Sequence, residues 1–369
     1  MFSEISSWLR ILLAVLSAFA VAWLLTPRVK IFAESVGAVD QPSARRINDH
    51  PVPRMGGIAI FCGFVLSMIL FAELTRQVKG ILIGTLIIAV MGGLDDLYNL
   101  SPWVKLAGQI VAAGVAIACG VVIDGFTDLV SSNDTVYISS IAAVIITGLW
   151  IVGTTNAINL IDGMDGLAVG MTTISALTLF VISLRVADMN ISVILACLIG
   201  ACCGFWPYNK NPAKIFMGDV GSQMLGFVLS TVSVIGLFKM HALVTMLLPV
   251  LAMAVPLADT TFAIIRRLLK GQSPFHADKG HFHHRLLAMG FTQKQAVTVL
   301  YAISIVLGIF AYLMVGSTRR IKIICLTVAF AIVLGIVVFI LKIHPAASRR
   351  RAQQTDAVEK DVRIYEKKK

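Results

Sequence analysis

Five aspartates stand at the ends of long apolar stretches: Asp95 and Asp96 in GGLDDLYNL, Asp162 and Asp165 in NAINLIDGMDG, and Asp219 in FMGDVGS. Carrying a carboxylate to the middle of a bilayer costs roughly 2.5 to 3.5 kcal/mol, so these groups must face water, cations or one another. Asp95 and Asp96 repel each other unless a cation lies beside them, a demand that a divalent metal or a proton relay would meet. Lys105, ten residues beyond Asp95, can come from the same hairpin and help to hold a phosphate-bearing ligand. Asn156, Asn159, Asp162 and Asp165 recur at every third residue, so neighbours in the series share a face of a helix. Their amide and carboxylate oxygens are hard ligands of the kind Mg2+ takes, usually one or two carboxylates completed by water and phosphate.

Gly218, Asp219, Val220, Gly221 and Ser222 precede an apolar run, where glycines let backbone N–H groups approach an anion at a helix start. Asp219 beside an anion needs an intervening cation, which favours a metal-phosphate ligand over a bare phosphate. Four of the seven histidines, His276, His281, His283 and His284, cluster with Lys279 and Arg285. Such a cluster could bind zinc or grip a diphosphate with imidazole and guanidinium donors. With no cysteine nearby, phosphate is the favoured reading.

The elements that must position these groups are membrane spans. The chain has 369 residues, 57% of them apolar and 14% charged, with a mean hydropathy of +0.87, which excludes an ordinary soluble domain. Apolar windows of spanning length predict helices near 8–26, 55–74, 80–94, 104–123, 139–155, 166–184, 190–206, 220–238, 242–265, 296–316 and 321–343. The expected fold is therefore an all-α polytopic membrane protein of about eleven transmembrane helices. Residues 1–345 form one membrane-embedded domain, and 346–369 a basic tail without regular structure. Most of the 31 Lys and Arg residues fall on connections 27–54, 207–222 and 266–295 and on the tail. That bias predicts an external N-terminus and a cytoplasmic C-terminus, with all five aspartates beside a cytoplasmic cleft. The net charge of +11 is read as attraction to anionic membrane lipids, about 1 kcal/mol per basic residue near the surface, rather than to nucleic acid. The six cysteines lie in predicted spans without CxxC spacing, so neither a disulfide nor a cysteine metal site is expected. The first span runs into TPRVK without a cleavage signature and reads as a retained helix.

DDLYNL, NAINLIDGMDGLA, FMGDVGS and HFHHRLLAMGF, in this order and separated by spans, resemble the polyprenyl-phosphate N-acetylhexosamine-1-phosphate transferase family, of glycosyltransferase 4 type. The resemblance covers roughly residues 27–295, and VDQPSARRINDHPVPRMGG is similar to the family's first inner loop. HFHHRLLAMGFTQKQAV is similar to the branch that transfers N-acetylglucosamine 1-phosphate to undecaprenyl phosphate for teichoic acid linkage units or surface polysaccharide. The phospho-MurNAc-pentapeptide branch, whose histidine motif continues into an acidic, Trp-containing stretch, is the alternative. Two departures stand out: Asn99 occupies the place of a third acidic residue, and Asn48 that of a first-loop histidine, which leaves open whether nearby His50 takes its place.

The resemblance implies an enzyme of the bacterial cell membrane that uses Mg2+, with Mn2+ as a substitute. Its substrates would be a UDP-N-acetylhexosamine and undecaprenyl phosphate, and its products an undecaprenyl-diphospho-sugar and UMP. By motif position, Asp219 and Asn159 resemble metal ligands, Asp95 and Asp96 the catalytic acid pair, and Lys105 a diphosphate-binding lysine. Asn156, Asp162 and Asp165 lie with the nucleotide sugar, and His281, His283, His284 and Arg285 with the sugar phosphate. Asn99, Arg45, Arg46 and Ser222 are further candidates, and the oligomeric state is left open, a homodimer included. Two rivals of other classes are a proton-coupled transporter, which needs acids near the midplane and paths to both faces, and a non-catalytic lipid-carrier scaffold, which would tolerate loss of the metal residues.

Overall fold

A computed structural model describes residues 7–41, 50–127, 135–185, 189–236, 243–269, 271–272, 281–318, 320–335 and 338. The helices are α1 (Ser7–Ser35), α2 (Gly57–Phe71), α3 (Arg76–Tyr98), α4 (Pro102–Ala118), α5 (Ser140–Ile161) and α6 (Leu167–Arg185). They continue with α7 (Met189–Asn209), α8 (Gly218–Gly236), α9 (Leu243–Ala252), α10 (Ala254–Leu269), α11 (Phe282–Ala288) and α12 (Gln293–Met314), and a further helical segment covers 320–335. Two short antiparallel ladders join β1 (Val39–Asp40) to β2 (Val52–Pro53) and β3 (Gly125–Thr127) to β4 (Thr135–Tyr137). Among the described residues, seven helices are long and apolar enough to cross a membrane. The protein is an all-α polytopic membrane protein.

Among the described residues, each predicted apolar window contains helix, but the ends differ from expectation wherever a polar group finds a partner. Helix α3 continues through Asp95 and Asp96 to Tyr98, so the acids sit in its last turns and not beyond them. Helix α1 runs past the expected end at residue 26 to Ser35, carrying Pro27, and buries Val29 and Ala33 on the way. The window 242–265 is two helices, broken at Met253. Pro256 has no N–H to offer the carbonyl of Ala252 four residues earlier, and the Ser175 hydroxyl donates to that oxygen instead, at 2.7 Å. A neighbouring side chain thus repairs the ladder, as apolar surroundings require.

Helix α8 is the axis of the assembly, buried at every position from Val220 to Gly236. It is the least apolar of the seven spanning helices. A helix shielded from lipid can carry Ser222, Gln223, Ser230, Thr231 and Ser233, all buried. Its neighbours approach closely through glycine. A Cβ on Gly57 would lie 2.0 Å from the Gly221 nitrogen, and one on Gly92 would lie 2.5 Å from the Val220 nitrogen. Small residues at helix contacts are the usual way apolar helices associate without a hydrophobic driving force. Large apolar side chains such as Trp23, Leu86, Val111 and Leu149 point outward on α1, α3, α4 and α5, where lipid accepts them.

Candidate active site

The site begins with the contact between the end of α3 and the start of α8. The Gly92 approach brings Asp96 under the first turn of α8, where its carboxylate accepts from the Asp219 N–H at 3.0 Å and the Val220 N–H at 3.4 Å. Those are two of the orphan donors that every helix start presents. Gly218 is required at this point: its φ is +68°, and a Cβ there would lie 2.3 Å from Asp96 Oδ2. GDVGS therefore opens helix α8, and the anion at its N-terminus is the protein's own carboxylate.

Asp219, fixed by that cap, gathers donors from three other positions. Lys105 Nζ, in the first turn of α4 after the Ser101 cap, lies 2.7 Å from Asp219 Oδ2 and 3.0 Å from Asp95 Oδ2. Gln223 donates to Asp219 Oδ2 at 2.7 Å, and Asn159 donates to Asp219 Oδ1 at 3.2 Å and to Ser222 at 2.8 Å. Behind them, Gln109 and Asn156 pair through both amides, at 3.3 and 2.6 Å, and Gln109 also donates to Gln223 at 3.0 Å. Asn156 thus belongs to a buried amide network behind the acids. Asp95 Oδ1 is buried without a hydrogen-bond partner.

A cavity of about 370 Å3 opens on this cluster, with Asp96, Asn159, Asp162, Asp165 and Asp219 on its wall. The three-residue series is only half helical: α5 stops at Ile161, Asp162 is its C-cap, and Asp165 lies in the following turn. Asn156 and Asn159 share the helix, and the expectation that Asp162 and Asp165 continue that face fails. Asp165 accepts from Asn211 Nδ2 at 2.9 Å and from the Ala213 N–H at 3.0 Å, which pins the segment before α8. Asp162 is half-buried, and its carboxyl is pushed up to about 8, first by desolvation and then by the negative charges of Asp219, Asp96 and Asp165.

The histidine segment divides. His281, at the start of α11, sets Nδ1 3.0 Å from Asp259 Oδ2, and the Phe282 N–H donates to Asp259 Oδ1 at 2.8 Å. Both side chains of the pair are buried, as is Arg285. His284 reaches the cavity wall. The His283 side chain, together with His276, Lys279, Arg45, Arg46, Asn48 and the tail, lies outside the described residues. Asn99 is the left-handed C-cap of α3, and its Oδ1 accepts from Arg54 Nη2 at 3.0 Å. Ser222 lies behind Asn159, bonded also to the Gly218 carbonyl at 3.0 Å.

Among the described residues, no three His, Cys, Asp or Glu side chains are gathered so as to hold a metal unaided. The donor set nevertheless fits Mg2+. Asp219 and Asp162 supply two carboxylates to the cavity lining, and Asn159, having spent its Nδ2 on Asp219 and Ser222, keeps its carbonyl oxygen. The rest of the shell would come from water and phosphate oxygens, the usual arrangement for this ion.

The sequence profile of Glycosyl transferase family 4 matches residues 78–237, which span the helices carrying this cluster. A Bacillus subtilis (strain 168) protein named probable undecaprenyl-phosphate N-acetylglucosaminyl 1-phosphate transferase is 41% identical over 84% of this chain and 86% of its own length. A Mycolicibacterium smegmatis decaprenyl-phosphate N-acetylglucosaminephosphotransferase is 35% identical over 78% of this chain and 77% of its own. A Staphylococcus aureus (strain MSSA476) phospho-N-acetylmuramoyl-pentapeptide-transferase is 27% identical over 81% and 96%.

Proposed function

The chain belongs to glycosyl transferase family 4, and from that premise we propose that it transfers N-acetylglucosamine 1-phosphate from UDP-N-acetylglucosamine to undecaprenyl phosphate. The products are undecaprenyl-diphospho-N-acetylglucosamine and UMP. The observation that carries the reading is that Asp219, Asp162 and Asn159 line one cavity, with Lys105 bound to Asp219. The greater identity to the two N-acetylglucosamine enzymes, 41% and 35%, than to the pentapeptide enzyme, 27%, supports the choice of sugar. The site faces the cytoplasm of a bacterial cell, where UDP-sugars are made. The basic tail rests on anionic lipid, and the product starts a teichoic acid linkage unit or another surface polysaccharide.

Asp219, Asp162 and Asn159 would hold Mg2+, with Mn2+ as a substitute. When bound, the ion neutralises the donor's diphosphate and aligns it for in-line displacement. An oxygen of the lipid phosphate attacks the phosphorus that bears the sugar, the bond to the UMP oxygen breaks, and UMP leaves with the electron pair. A phosphate monoester has its second pKa at about 6, so the nucleophile needs no strong base. Asp96 is occupied by the N–H groups of α8, and Asp95 by Lys105. Their role here is to hold Asp219 and Lys105 in register, and a proton-abstracting role is not required. His284, in the lining of the same cavity, would meet the sugar phosphate.

The test is detergent-purified protein incubated with Mg2+, undecaprenyl phosphate and a panel of radiolabelled UDP-sugars. Label from UDP-N-acetylglucosamine should pass to lipid with UMP release. Transfer from UDP-MurNAc-pentapeptide in its place would overturn the choice of donor.

A further inference from the structure

We propose that Arg54 is a phosphate-binding residue of the cavity, gripping terminal phosphate oxygens of a substrate through its guanidinium. The inference rests on the function proposed above for its supply of phosphate ligands, and on the structure for the residue. The lysine named by motif position, Lys105, is bound to two carboxylates and is absent from the cavity lining. Among the described residues, Arg54 is the Lys or Arg in that lining, which it shares with five aspartates, Asp40, Asp96, Asp162, Asp165 and Asp219. A cavity so acidic repels a phosphate unless cations intervene, and a single divalent ion does not balance a diphosphate and a phosphate monoester together.

The backbone is built to place this side chain. Among the described non-glycine residues, two have positive φ: Met55 at +88° and Asn99 at +50°. Both serve Arg54. Met55, buried and next in sequence, turns the chain so that residues on either side bond to the strip before Asp219. The Phe216 N–H donates to the Pro53 carbonyl at 2.8 Å, the Gly56 N–H to the Phe216 carbonyl at 2.9 Å, and the Gly57 N–H to the Met217 carbonyl at 2.7 Å. The Arg54 N–H itself donates to the Ala38 carbonyl at 2.9 Å. Asn99, on the other side, takes Nη2 at 3.0 Å and fixes the plane of the guanidinium. Asn99 takes its conformation as the cap of α3, as asparagine ordinarily does, whereas strain of the kind at Met55 persists only where surrounding contacts impose it, and it gathers at ligand sites. The Arg54 Nε is buried without a hydrogen-bond partner, so the protein alone does not satisfy the group. A planar fork anchored at one corner suits paired phosphate oxygens, which a lysine ammonium would meet only as a point charge.

Two sources present those oxygens: the monoester of the lipid acceptor and the diphosphate of the sugar nucleotide. Wild type, Arg54→Ala, Arg54→Gln, Arg54→Lys and Asn99→Ala should be purified in detergent and compared for melting temperature. Kd and KM are then measured for UDP-N-acetylglucosamine and for undecaprenyl phosphate, with uridine and undecaprenol as phosphate-free controls. Losing a charge-assisted contact should weaken one phosphate substrate by about tenfold to a hundredfold, with the controls unchanged. Arg54→Lys should recover part of the loss, and Asn99→Ala should shift the same substrate less. Weakening of the lipid phosphate alone assigns the acceptor, and weakening of the nucleotide alone assigns the donor; either supports the proposal. Should Arg54→Ala fail to fold, Arg54→Gln gives the same reading. Wild type that binds neither phosphate overturns both this inference and the proposed function. Wild type that transfers sugar phosphate, with folded Arg54 variants binding both substrates within twofold of it, overturns this inference alone.

Discussion

Lys105 and Asp219 are bound to each other at 2.7 Å, and the same ammonium reaches Asp95 at 3.0 Å, so one cation ties the ends of α3, α4 and α8 together. Removing it leaves two partly buried carboxylates without their shared counter-ion. Lys105→Met should therefore lower stability by about 1 to 3 kcal/mol, between the values for exposed and buried pairs. Thermal unfolding in detergent measures this, and Lys105→Arg should restore part of it. An unchanged melting temperature in Lys105→Met would show that the pair does not hold the helix ends.

Gly218 has a second, independent consequence. With φ at +68° and Asp96 Oδ2 only 2.3 Å from any added Cβ, Gly218→Ala must displace the cap of α8. The expected cost is about 2 to 4 kcal/mol, from a strained backbone and a lost cap. Ala substitution at Gly114, which meets nothing within 4 Å, is the control and should be silent or slightly stabilising. Equal melting temperatures for the two variants would count against the cap.

The spans were legible because a membrane demands length and apolarity, and little else imitates that signal. Their ends were not, because an end depends on partners remote in sequence. Asp95 and Asp96 stay inside α3 because Lys105 and the α8 N-terminus receive them, and α5 ends at Ile161 before its three-residue series is complete. Asp219, Asn159, Asp96, Asp162 and Asp165 were identified from the sequence and do meet at one cavity. Asp259 was missed, although the cost of a carboxylate in an apolar window applied to it equally. Arg54 is not distinguishable in the sequence from Arg45 and Arg46, since its distinguishing features, the Met55 backbone and the Asn99 contact, exist only in three dimensions. Gln109 and Gln223 carried no sequence signal, because a lone glutamine gives none until its buried partners are known.

The Asp259 and His281 pair predicts a local effect. Asp259→Ala removes the acceptor of both His281 Nδ1 and the Phe282 N–H. Leaving a buried donor unpaired costs about 1 to 3 kcal/mol, so the segment around α11 should open and be cut faster by limited proteolysis. Asp259→Asn, which keeps one acceptor, should show a smaller change. Identical cleavage in wild type and Asp259→Ala would exclude the clamp.

Asp162 predicts a pH dependence. Its carboxyl is pushed up from the ordinary 3.8 to about 8, so between those values the folded, cation-free protein holds a proton that the unfolded chain has released. Bound protons favour the state that binds more of them; the stability contribution therefore declines as pH rises from about 4 toward about 8. A cation must displace that proton, so Mg2+ affinity should rise over the same range and level off above it. Titration of Mg2+ binding by calorimetry at pH 6, 7 and 8.5 checks this, and Asp162→Asn should flatten the profile. A wild-type affinity independent of pH would contradict the role given to Asp162.

Direct displacement predicts that nothing is released before the acceptor arrives. UDP-N-acetylglucosamine labelled in the sugar-bearing phosphate, incubated with enzyme and Mg2+ but no lipid, should yield neither UMP nor labelled protein. Label trapped on an aspartate would instead establish a covalent step.

The central claim is tested most directly by purified wild type and Asp219→Ala, each given Mg2+, undecaprenyl phosphate and that same labelled donor. Wild type should release one UMP for each labelled phosphate that reaches lipid. Asp219→Ala, folded by its melting curve, should lose transfer by a factor of about 1,000 or more, the scale of removing a principal electrostatic contact at a transferring phosphorus. Transfer retained in folded Asp219→Ala would contradict the account.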